Sequence, residues 1–483
     1  MCADDLVLLT GATGYVGSRL LGVLRQSGRR LRLLVRKPAA LAPDLETGTR
    51  LELVTGDLLD PRSAQQAMTG VHSAYYLVHT MDAEGEFEKR DRQSAANFAA
   101  AARTAGVERI IYLGGLGSGP GLSRHLESRQ EVGRILRESG VTTVEFRASV
   151  IIGAGSASFE MIRALVEGLP AMVVPRWVTT LTQPVAIEDV VAYLLAVLDM
   201  DIAGSAIYEI GGPRRISYLG LMKAYARQRG LRRVFLPVPV LTPWLSGLWL
   251  ALVTPLHARV GRRLIEGVRN ETVLTDDTAL AVFPIRPRGV EEAMAQALAE
   301  EDREFARIRW SRRLPLPGRG RDFTHQRVGS RLVDSRAAVA PVTPEQAFAA
   351  MCSIAGQPDW YCRSWPWLVR GYFDLAVGGP GLRCRAPDGQ VAAAGDRVGP
   401  WRVDSLEPGS LLRLVAEMKL PGRAWLQFEI VAHECGAQIR QTAIFEPLGI
   451  MGLVYWYALL PVHQPVFRAL LREIAAGTAA GGS

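Results

Sequence analysis

Over the first third of the chain, short apolar runs alternate with longer stretches whose apolar residues recur at helical spacing. Such an alternation is typical of βαβ units and a parallel sheet. The predicted strands are Leu6–Thr10, Leu31–Val35, Leu51–Thr55, Ser73–Val78, Arg109–Leu113 and Thr142–Phe146. The helices between them include Pro61–Met68, with Asp60 as its cap, and Phe87–Ala105. The pattern predicts an α/β fold with a doubly wound parallel sheet.

The regular alternation ends near Arg147. Helices separated by proline- and glycine-containing loops are then predicted at Ala157–Glu167, Glu188–Asp199, Ser217–Arg229 and Val290–Arg307. We interpret residues 147–306 as the substrate lobe of a first domain that covers residues 1–306. Residues 307–331 hold eight arginines together with prolines and glycines. This composition predicts a linker over residues 307–325.

The last third of the chain predicts an α+β domain over residues 326–475 and a frayed tail over residues 476–483. Its strands are predicted at Val328–Val339, Arg383–Arg385, Asp396–Leu406, Leu411–Met418, Trp425–Ala432 and Ala437–Phe445. Its helices are predicted near Pro344–Ile354 and Leu448–Ile474. A helix, an antiparallel sheet and a long final helix therefore follow one another.

A chain of 483 residues, 48% apolar and 22% charged, has a soluble globular composition and is too long for one core. Its net charge of +8 comes almost entirely from dispersed arginines, because only four lysines are present. No nucleic-acid-binding motif accompanies them, so we predict no nucleic-acid partner. Five cysteines without a C-x-x-C pair predict neither a metal site nor a disulfide framework. We expect a cytoplasmic protein without an export signal.

Two stretches without charged residues, Val234–Leu256 and Pro447–Phe467, approach the length of a membrane span. Prolines interrupt both of them, including Pro461 and Pro465 in the second. We therefore predict buried or pocket-lining helices. Peripheral contact with the inner face of the membrane, through a short helix at 244–253, is the open alternative.

A glycine-rich turn follows the first strand and opens an apolar-periodic helix. Glycine at three places in such a turn permits the tight bend, the close approach of backbone amides to phosphate, and helix packing on the strand. The helix then directs its positive end at a pyrophosphate. We predict a Rossmann-type dinucleotide site that includes Thr10, Gly11, Thr13, Gly14, Tyr15, Val16 and Gly17.

The residues after the second and third strands refine this prediction. Arg36 and Lys37 stand where a carboxylate would bind the ribose 2′-hydroxyl, so we favour NADP(H) over NAD(H). Asp57 and Leu58 are candidates for binding adenine, and helix capping is the alternative for Asp57. His79, after the fourth strand, is a candidate cofactor contact or proton donor.

Together these residues resemble the atypical short-chain dehydrogenase/reductases, near the NmrA-like proteins and the Rossmann accessory subunit of mitochondrial complex I. Further matches are Gly56–Leu58, Asn97, Pro184–Val190 and Tyr208–Pro213. The whole chain resembles a bacterial subgroup in which this part is fused to a domain similar to the SRPBCC/START-like fold. The second resemblance, carried by Trp401–Val403 and Met418–Trp425, implies a cavity for a hydrophobic ligand. Candidate lining residues are Trp425, Tyr455, Trp456 and Tyr457, with plain core packing as the alternative.

The first resemblance implies a catalytic serine and a Tyr-x-x-x-Lys helix, in which tyrosine moves the proton and lysine holds the ribose. This chain instead has glycine-rich Tyr112–Gly117 at the serine position and His125-Leu126-Glu127-Ser128-Arg129 at the helix. Arg129 is therefore the candidate ribose contact. His125 is the candidate acid, since an imidazole normally titrates at about pH 6.5. The alternative is that both residues only contact the cofactor.

Two functions follow from these residues. In the first, NADPH reduces an apolar carbonyl or quinone-like compound, with an apolar small molecule bound in the C-terminal cavity. In the second, the protein binds NADP(H) without turnover, as a sensor, assembly factor or lipid-handling protein. The sequence predicts an oxidoreductase-like protein and leaves catalysis open, because the usual serine, tyrosine and lysine are replaced.

Overall fold

The chain divides into two compact units, Met1–Glu301 and Asp302–Ser483. The computed structural model describes residues 5–38, 48, 50–79, 87–117, 119, 121–168, 171–174, 176–237, 270–313, 324–328, 331–356, 371–372, 374–375, 378–379, 381 and 393–480. The predicted strand Arg383–Arg385 and the predicted helix at 244–253 lie outside these residues.

The first unit is built on a parallel seven-stranded sheet. Its strands are β1 (Leu6–Thr10), β2 (Arg30–Val35), β3 (Leu51–Thr55), β4 (Ser73–Tyr76), β5 (Arg109–Gly115), β6 (Thr142–Ala148) and β11 (Ala206–Ile210). They lie in the order β11-β6-β5-β4-β1-β2-β3, which confirms the predicted doubly wound sheet. The order reverses between β1 and β4, and ligands of such sheets bind where the strands end at that point.

Helices cover both faces of this sheet. They are α1 (Tyr15–Gln26), α2 (Pro61–Met68), α3 (Phe87–Thr104), α4 (Arg124–Arg137) and α6 (Ile187–Ala196). The side chains of β1 alternate between two buried clusters, with Val7 and Leu9 packed against α1 and α6, and Leu8 packed near Phe98 of α3. Both faces of β1 are apolar because both are covered.

The remainder of the first unit corresponds to the predicted substrate lobe. Its helices are α5 (Ala157–Gly168), α7 (Tyr218–Gln228), α8 (Thr278–Val282) and α9 (Val290–Ala306). Three short strand pairs join them, namely β7 (Ile151–Ile152) with β10 (Val185–Ala186), β8 (Ala171–Val174) with β13 (Val234–Pro237), and β9 (Leu181–Thr182) with β12 (Ile216–Ser217). Phe159, Tyr225 and Met294 form part of its buried cluster.

The second unit contains a separate antiparallel seven-stranded sheet. Its strands are β14 (Thr324–Val328), β15 (Arg331–Ala340), β16 (Arg397–Val398), β17 (Trp401–Glu407), β18 (Leu411–Ala416), β19 (Gly422–His433) and β20 (Gly436–Pro447), in the order β14-β15-β20-β19-β18-β17-β16. Helices α11 (Pro344–Gly356) and α12 (Gly449–Ala480) pack on this sheet. Their shared core includes Phe428, Ile439, Met351 and Trp456.

The segment predicted as a linker over 307–325 begins inside the second unit. A short helix, α10 (Trp310–Arg313), places the Trp310 ring in a buried cluster. The backbone amides of Trp310 and Ser311 donate to the two carboxylate oxygens of Glu429, at 2.7 and 2.9 Å. A carboxylate at a helix N-terminus satisfies amides that have no partner within the helix. The composition of this segment predicted a linker and gave no sign of this attachment.

The predicted helix Leu448–Ile474 is present as α12, which runs through Pro461 and Pro465 although these prolines were expected to interrupt the apolar run. Both prolines are exposed, whereas Phe467 and Leu470 pack into the core. Water can solvate the carbonyls that lose their helical partners on the outer face, while apolar packing holds the inner face. Within the described part of the chain, no helix combines the length and apolar character needed to cross a bilayer.

The buried imidazole of His463 makes the second unit sensitive to acid. Burial, with Arg336 nearby, lowers its pKa from 6.5 to about 4. The unfolded chain takes up this proton at higher pH than the folded chain, so stability is complete above pH 6.5 and falls with decreasing pH. Between pH 6.5 and 4 the loss is roughly 3 kcal/mol.

We expect His463→Leu to remove this part of the acid sensitivity. Urea unfolding monitored by tryptophan fluorescence will measure the free energy of unfolding at pH 7.5 and pH 5. The difference between these values should shrink by roughly 2 kcal/mol in the variant. The exposed His433, substituted in the same way, provides the control and should leave the difference unchanged. An unaltered difference in His463→Leu would contradict the assignment.

Candidate functional site

The glycine-rich turn folds tightly against the end of β4. Gly11 has a φ of 74°, in the left-handed region, and a Cβ on it would lie 2.4 Å from the carbonyl oxygen of Leu77. A Cβ on Gly17 would lie 2.1 Å from the carbonyl oxygen of Gly11. Both positions therefore require glycine, one for its backbone conformation and both for space.

Helix α1 starts directly after this turn. Gly14 is its N-cap, and a glycine has no side chain with which to cap the first amides. The amides of Tyr15, Val16 and Gly17 lie in the first turn, at the positive end of the helix dipole. Such an N-terminus is suited to a phosphate group. Tyr15, Val16 and Gly17 of the predicted cofactor turn thus lie in the first turn of a helix.

The two threonines of the predicted set differ in their surroundings. The Thr10 hydroxyl donates to the carbonyl of Tyr75 at 2.7 Å and accepts from the amide of Leu77 at 3.4 Å. The Thr10 side chain therefore links the end of β1 to the end of β4, directly next to the glycine-rich turn. The Thr13 side chain is exposed at the top of the turn.

The ends of β2 and β3 lie beside the turn in the sheet. Arg36 and Lys37 follow β2 directly, and both side chains are exposed. Asp57 Oδ1 accepts from the amide of Leu59 at 3.0 Å. Capping of α2 is performed by Asp60, which accepts from the amides of Arg62 and Ser63. Asp60, and not Asp57, therefore caps α2, which was the alternative role considered for Asp57.

Asn97, a residue that the family resemblance singled out, fixes the loop after β3. Its Nδ2 donates to the carbonyls of Leu58 and Leu59 at 2.8 and 3.1 Å. Its Oδ1 accepts from Gln93 Nε2 at 2.8 Å. The buried amide therefore holds the segment that carries Asp57 and Leu58 in place.

A cavity of about 220 Å³ opens where β5 and β6 end. His125 and Arg129, both on α4, line one part of it, and Val16 of α1 contributes to the same lining. Leu113, Leu116, Ile151 and Met161 make much of the rest apolar. The structure therefore brings the two candidate catalytic residues together beside the cofactor turn.

Behind His125 lies a chain of titratable side chains. His125 Nδ1 is 3.1 Å from His79 Nε2, and His79 Nδ1 is 3.1 Å from Asp91 Oδ2. Ser128 Oγ donates to the same Asp91 oxygen at 3.4 Å. Asp91 is only 3% exposed, so its carboxylate acts on the histidines with little screening by water. The sequence predicted His79 and His125 but not Asp91.

Arg129 is anchored by its neighbours on β5. Its Nη2 donates to the carbonyl of Leu113, and its own carbonyl accepts from the Tyr112 hydroxyl at 2.8 Å. Burial raises the pKa of Tyr112, which keeps this phenol neutral as a donor. The buried Nε of Arg129 meets no acceptor among the described residues. A buried donor without an acceptor indicates a missing partner at this point.

Gly115 stands where the resemblance implies a catalytic serine, and the space for a side chain is taken. A Cβ on Gly115 would lie 2.8 Å from Leu126 Cδ2 and 3.3 Å from Arg129 Cδ. Restoring the family serine therefore requires Leu126 to move.

We expect Gly115→Ser to lower the free energy of unfolding by about 1–3 kcal/mol, as overpacking does, without raising turnover. In a urea-unfolding double-mutant cycle, Leu126→Ala should relieve part of this cost, giving a coupling of about 0.5–3 kcal/mol. If the effects of the two substitutions on the free energy of unfolding simply add, the contact with Leu126 is not what makes a serine at position 115 unfavourable.

Hydroxyl groups from four segments that are distant in the chain form a cluster at the cavity. Ser149 Oγ bonds to Thr272 Oγ1 at 2.7 Å, and Thr272 Oγ1 bonds to Thr182 Oγ1 at 2.9 Å. Ser149, Thr272 and Tyr218 line the cavity. Burial raises the pKa of Tyr218, while hydrogen bonds to Thr182 and Thr272 oppose the shift. This hydroxyl cluster is the polar feature that sequence analysis missed.

Several features of the first unit fit a nicotinamide dinucleotide. The turn leaves no room for a Cβ at Gly11 and Gly17, and α1 begins without a side-chain cap at Gly14. Arg129 has a buried donor that meets no acceptor among the described residues. Among the described residues, no group of side chains could hold a metal ion.

Residues 11–151 match a family described as NAD(P)H-binding. The (4-alkanoyl-5-oxo-2,5-dihydrofuran-3-yl)methyl phosphate reductase of Streptomyces griseus is 30% identical over 221 residues, which cover 44% of this chain and 70% of that protein. The chain belongs to the NAD(P)H-binding reductase family. Within this reductase family, the ceramide reductase of Caulobacter vibrioides is 29% identical over 245 residues, covering 49% of this chain and 74% of that protein. The triphenylmethane reductase of Citrobacter sp. shares the fold, with a TM-score of 0.50 and 19% identity over 61% of this chain and 99% of that chain.

The second unit matches a different family. Residues 328–470 match a family described as a protein of unknown function, DUF2867. The antiparallel sheet and α12 of this unit enclose a cavity of about 100 Å³. Trp425, Tyr455 and Trp456 line it, as the sequence predicted. Tyr457 is not part of this lining, and its side chain is 54% exposed.

Proposed function

We propose that this protein reduces an apolar carbonyl or quinone-like compound with NADPH. One observation carries the proposal: His125 faces the cavity at the end of the parallel sheet and is backed by His79 and Asp91. A site that only bound nucleotide would not need a buried carboxylate behind two histidines. The reductases among the relatives support the same reading.

The Asp91 carboxylate sets the protonation pattern of the histidines. It accepts from His79 Nδ1, so His79 Nε2 is the acceptor in the neutral ring. His125 Nδ1 then donates to His79 Nε2, and His125 Nε2 is the nitrogen that exchanges a proton with a molecule in the cavity. The negative charge of Asp91 favours an additional proton on the pair.

Bound NADPH would supply a hydride to the substrate carbon. His125 donates the proton that the substrate oxygen requires, so one hydride and one proton convert a carbonyl to an alcohol. Arg129, anchored to the carbonyl of Leu113, orients the ribose next to the nicotinamide. The pair of histidines regains its proton from water while Asp91 neutralises its charge.

The cavity lining favours an amphiphilic substrate. Leu116, Ile151 and Met161 offer apolar contact, whereas Ser149 and Thr272 offer hydroxyl groups. A carbonyl compound with a long apolar part and a polar substituent matches both surfaces. Ceramide, for which the reductase of Caulobacter vibrioides is named, is an amphiphile of this general kind.

Reductase activity is tested by NADPH oxidation against a panel of quinones and long-chain aldehydes or ketones. His125→Ala should lower kcat by about 100-fold or more, and added imidazole should restore part of it. Glu127→Ala is the matched control, because Glu127 lies on the same turn of α4 with an exposed side chain outside the cavity lining. Binding of NADPH without turnover on any substrate would overturn the proposal and favour a nucleotide sensor.

We propose that Arg36 and Lys37 select NADP(H), because their exposed positive charges follow β2 where a 2′-phosphate would lie. We expect Arg36→Ala to weaken NADPH binding by about tenfold or more, as loss of a charged hydrogen bond does, and to leave NADH binding nearly unchanged. Fluorescence titration with both nucleotides measures the two affinities. Arg62→Ala, at another exposed position, is the control. Equal loss for both nucleotides would contradict this role.

For the second unit we propose an SRPBCC/START-like role in capturing an apolar ligand. The support is the cavity beneath α12, whose lining includes Trp425, Tyr455 and Trp456. Mass spectrometry of small molecules that co-purify with the full chain tests this proposal. An apolar compound that co-purifies with the parent protein and is lost from Trp456→Ala supports the proposal, and a preparation free of such compounds opposes it.

The proposed location of the protein is cytoplasmic, at the inner face of the membrane.

A further inference from the structure

The substrate lobe carries an open groove of about 680 Å³, separate from the cavity that His125 lines. We call it the basic groove and define it by its charged lining residues, which are Arg214, Arg215, Lys223, Arg227, Arg232, Arg233 and Glu291. Six cations thus surround a single carboxylate. An excess of one charge sign on a concave surface raises the local concentration of oppositely charged partners.

The carboxylate neutralises only part of this charge. Glu291 pairs with Arg214 at 2.8 Å and with Arg227 at 3.7 Å. The other four cations form no ion pair with a carboxylate in the described part of the chain. Arg233 instead donates through Nε to the carbonyl of Val166 at 2.6 Å, so the backbone holds its side chain in place.

The strand next to the groove adds apolar side chains. From Leu231 to Leu236, partly buried and exposed residues alternate, as the two faces of a strand require. Arg232, Val234 and Leu236 occupy the exposed face, where Val234 is 57% and Leu236 51% accessible. A cation and two aliphatic side chains therefore point the same way at the rim of the basic groove.

We infer that the basic groove and the exposed face of β13 dock on an anionic phospholipid membrane. Lipid phosphates pair with the cations, and Val234 and Leu236 enter the boundary between headgroups and acyl chains. A nucleic acid would satisfy the cations but would leave both aliphatic side chains in water. Phe235, the aromatic residue of this strand, is half-buried below Lys223, with Nζ 6.0 Å from its ring, and so offers no stacking platform.

This inference goes beyond the proposed reduction and does not require turnover. If the substrate is an apolar compound dissolved in the membrane, docking through the substrate lobe would bring the cavity to it. Membrane binding and NADPH oxidation with a water-soluble carbonyl are measured separately. A negative result for membrane binding therefore does not affect the test of NADPH oxidation, and the reverse also holds.

The test is sedimentation of the full chain with sucrose-loaded vesicles of phosphatidylcholine alone or mixed with phosphatidylglycerol. Arg215→Gln/Lys223→Gln/Arg232→Gln should lower the partition coefficient on anionic vesicles by roughly 100-fold, since each cation near such a surface contributes about a factor of five. The control is Arg62→Gln/Arg90→Gln/Arg103→Gln, which removes the same charge from exposed positions of the other part of the first unit.

A second variant, Val234→Asn/Leu236→Asn, addresses the apolar contact. It should reduce binding to anionic vesicles several-fold while leaving the salt dependence of the remaining binding intact. All positions changed are exposed, and NADPH titration verifies that each variant is folded. Unchanged vesicle binding by the triple variant, or groove-dependent binding of the parent to duplex DNA but not to vesicles, would overturn the inference.

Discussion

Replacing Gly17 by alanine will strongly weaken NADPH binding. The added methyl group would lie 2.1 Å from the carbonyl oxygen of Gly11 and 2.8 Å from its carbonyl carbon. Neither atom can move without unwinding the turn, because a Cβ on Gly11 itself has no room against Leu77 and that residue adopts a φ of 74°. We expect affinity to fall by about 100-fold or more, equivalent to about 2.7 kcal/mol of binding free energy.

Helix α1 provides a matched control at Gly22. A Cβ there meets no atom within 4 Å. Gly22→Ala should retain NADPH affinity and raise the free energy of unfolding by about 0.5–1 kcal/mol, because alanine is the better helix former. Fluorescence titration and urea unfolding on both variants measure the two effects. If Gly17→Ala binds NADPH as tightly as Gly22→Ala does, the phosphate cradle is misassigned.

The cofactor part of the site could be predicted because its determinants are local in sequence. A strand, a tight turn and the N-terminus of a helix occupy consecutive residues, and glycine is the residue that tolerates the backbone of Gly11 and the contact at Gly17. The position of Arg36 follows from the end of β2 in the same way. The βαβ alternation then gives the order in which these elements meet.

The substrate side could not be predicted because its residues are distant in sequence. Ser149, Thr182, Tyr218 and Thr272 come from four segments of an irregular lobe, and nothing in the periodicity states that their hydroxyls meet. Asp91 did leave a signal: it falls among the buried positions of α3 between Phe87 and Ser94. A carboxylate on the apolar face of a predicted helix needs a partner. That partner is His79.

The site thus departs from the usual family pattern in a consistent way. A side chain at Gly115 would meet Leu126 and Arg129, and the family resemblance aligns Arg129 with the lysine. Histidine at position 125 replaces tyrosine, and an imidazole needs a different support from a phenol. Under the proposed mechanism Asp91 and His79 provide that support, since they lie within 3.1 Å of their neighbours in the order Asp91, His79, His125.

Asp91→Asn will therefore remove turnover while preserving the shape of the site. The amide has the size of the carboxylate but no negative charge, and it can donate to His79 where the carboxylate only accepts. The tautomers of His79 and His125, which set which ring nitrogens carry a proton, are then reversed or no longer fixed. We expect kcat to fall by about 100-fold or more, the range that positioned acid–base groups contribute. The KM for NADPH and the midpoint of thermal unfolding should change little.

Three measurements separate this role from a structural one. Steady-state kinetics should show the loss in kcat rather than in KM, and the solvent isotope effect on kcat should rise because proton transfer becomes slower than hydride transfer. Glu88→Gln is the control, since Glu88 lies on the same helix but pairs with Arg124 at the surface. Asp91→Asn/His125→Ala should be no slower than His125→Ala alone, because Asp91 acts through that histidine. If instead the two losses multiply, Asp91 supports the fold of α3 and α4, and His125 receives its proton by another route.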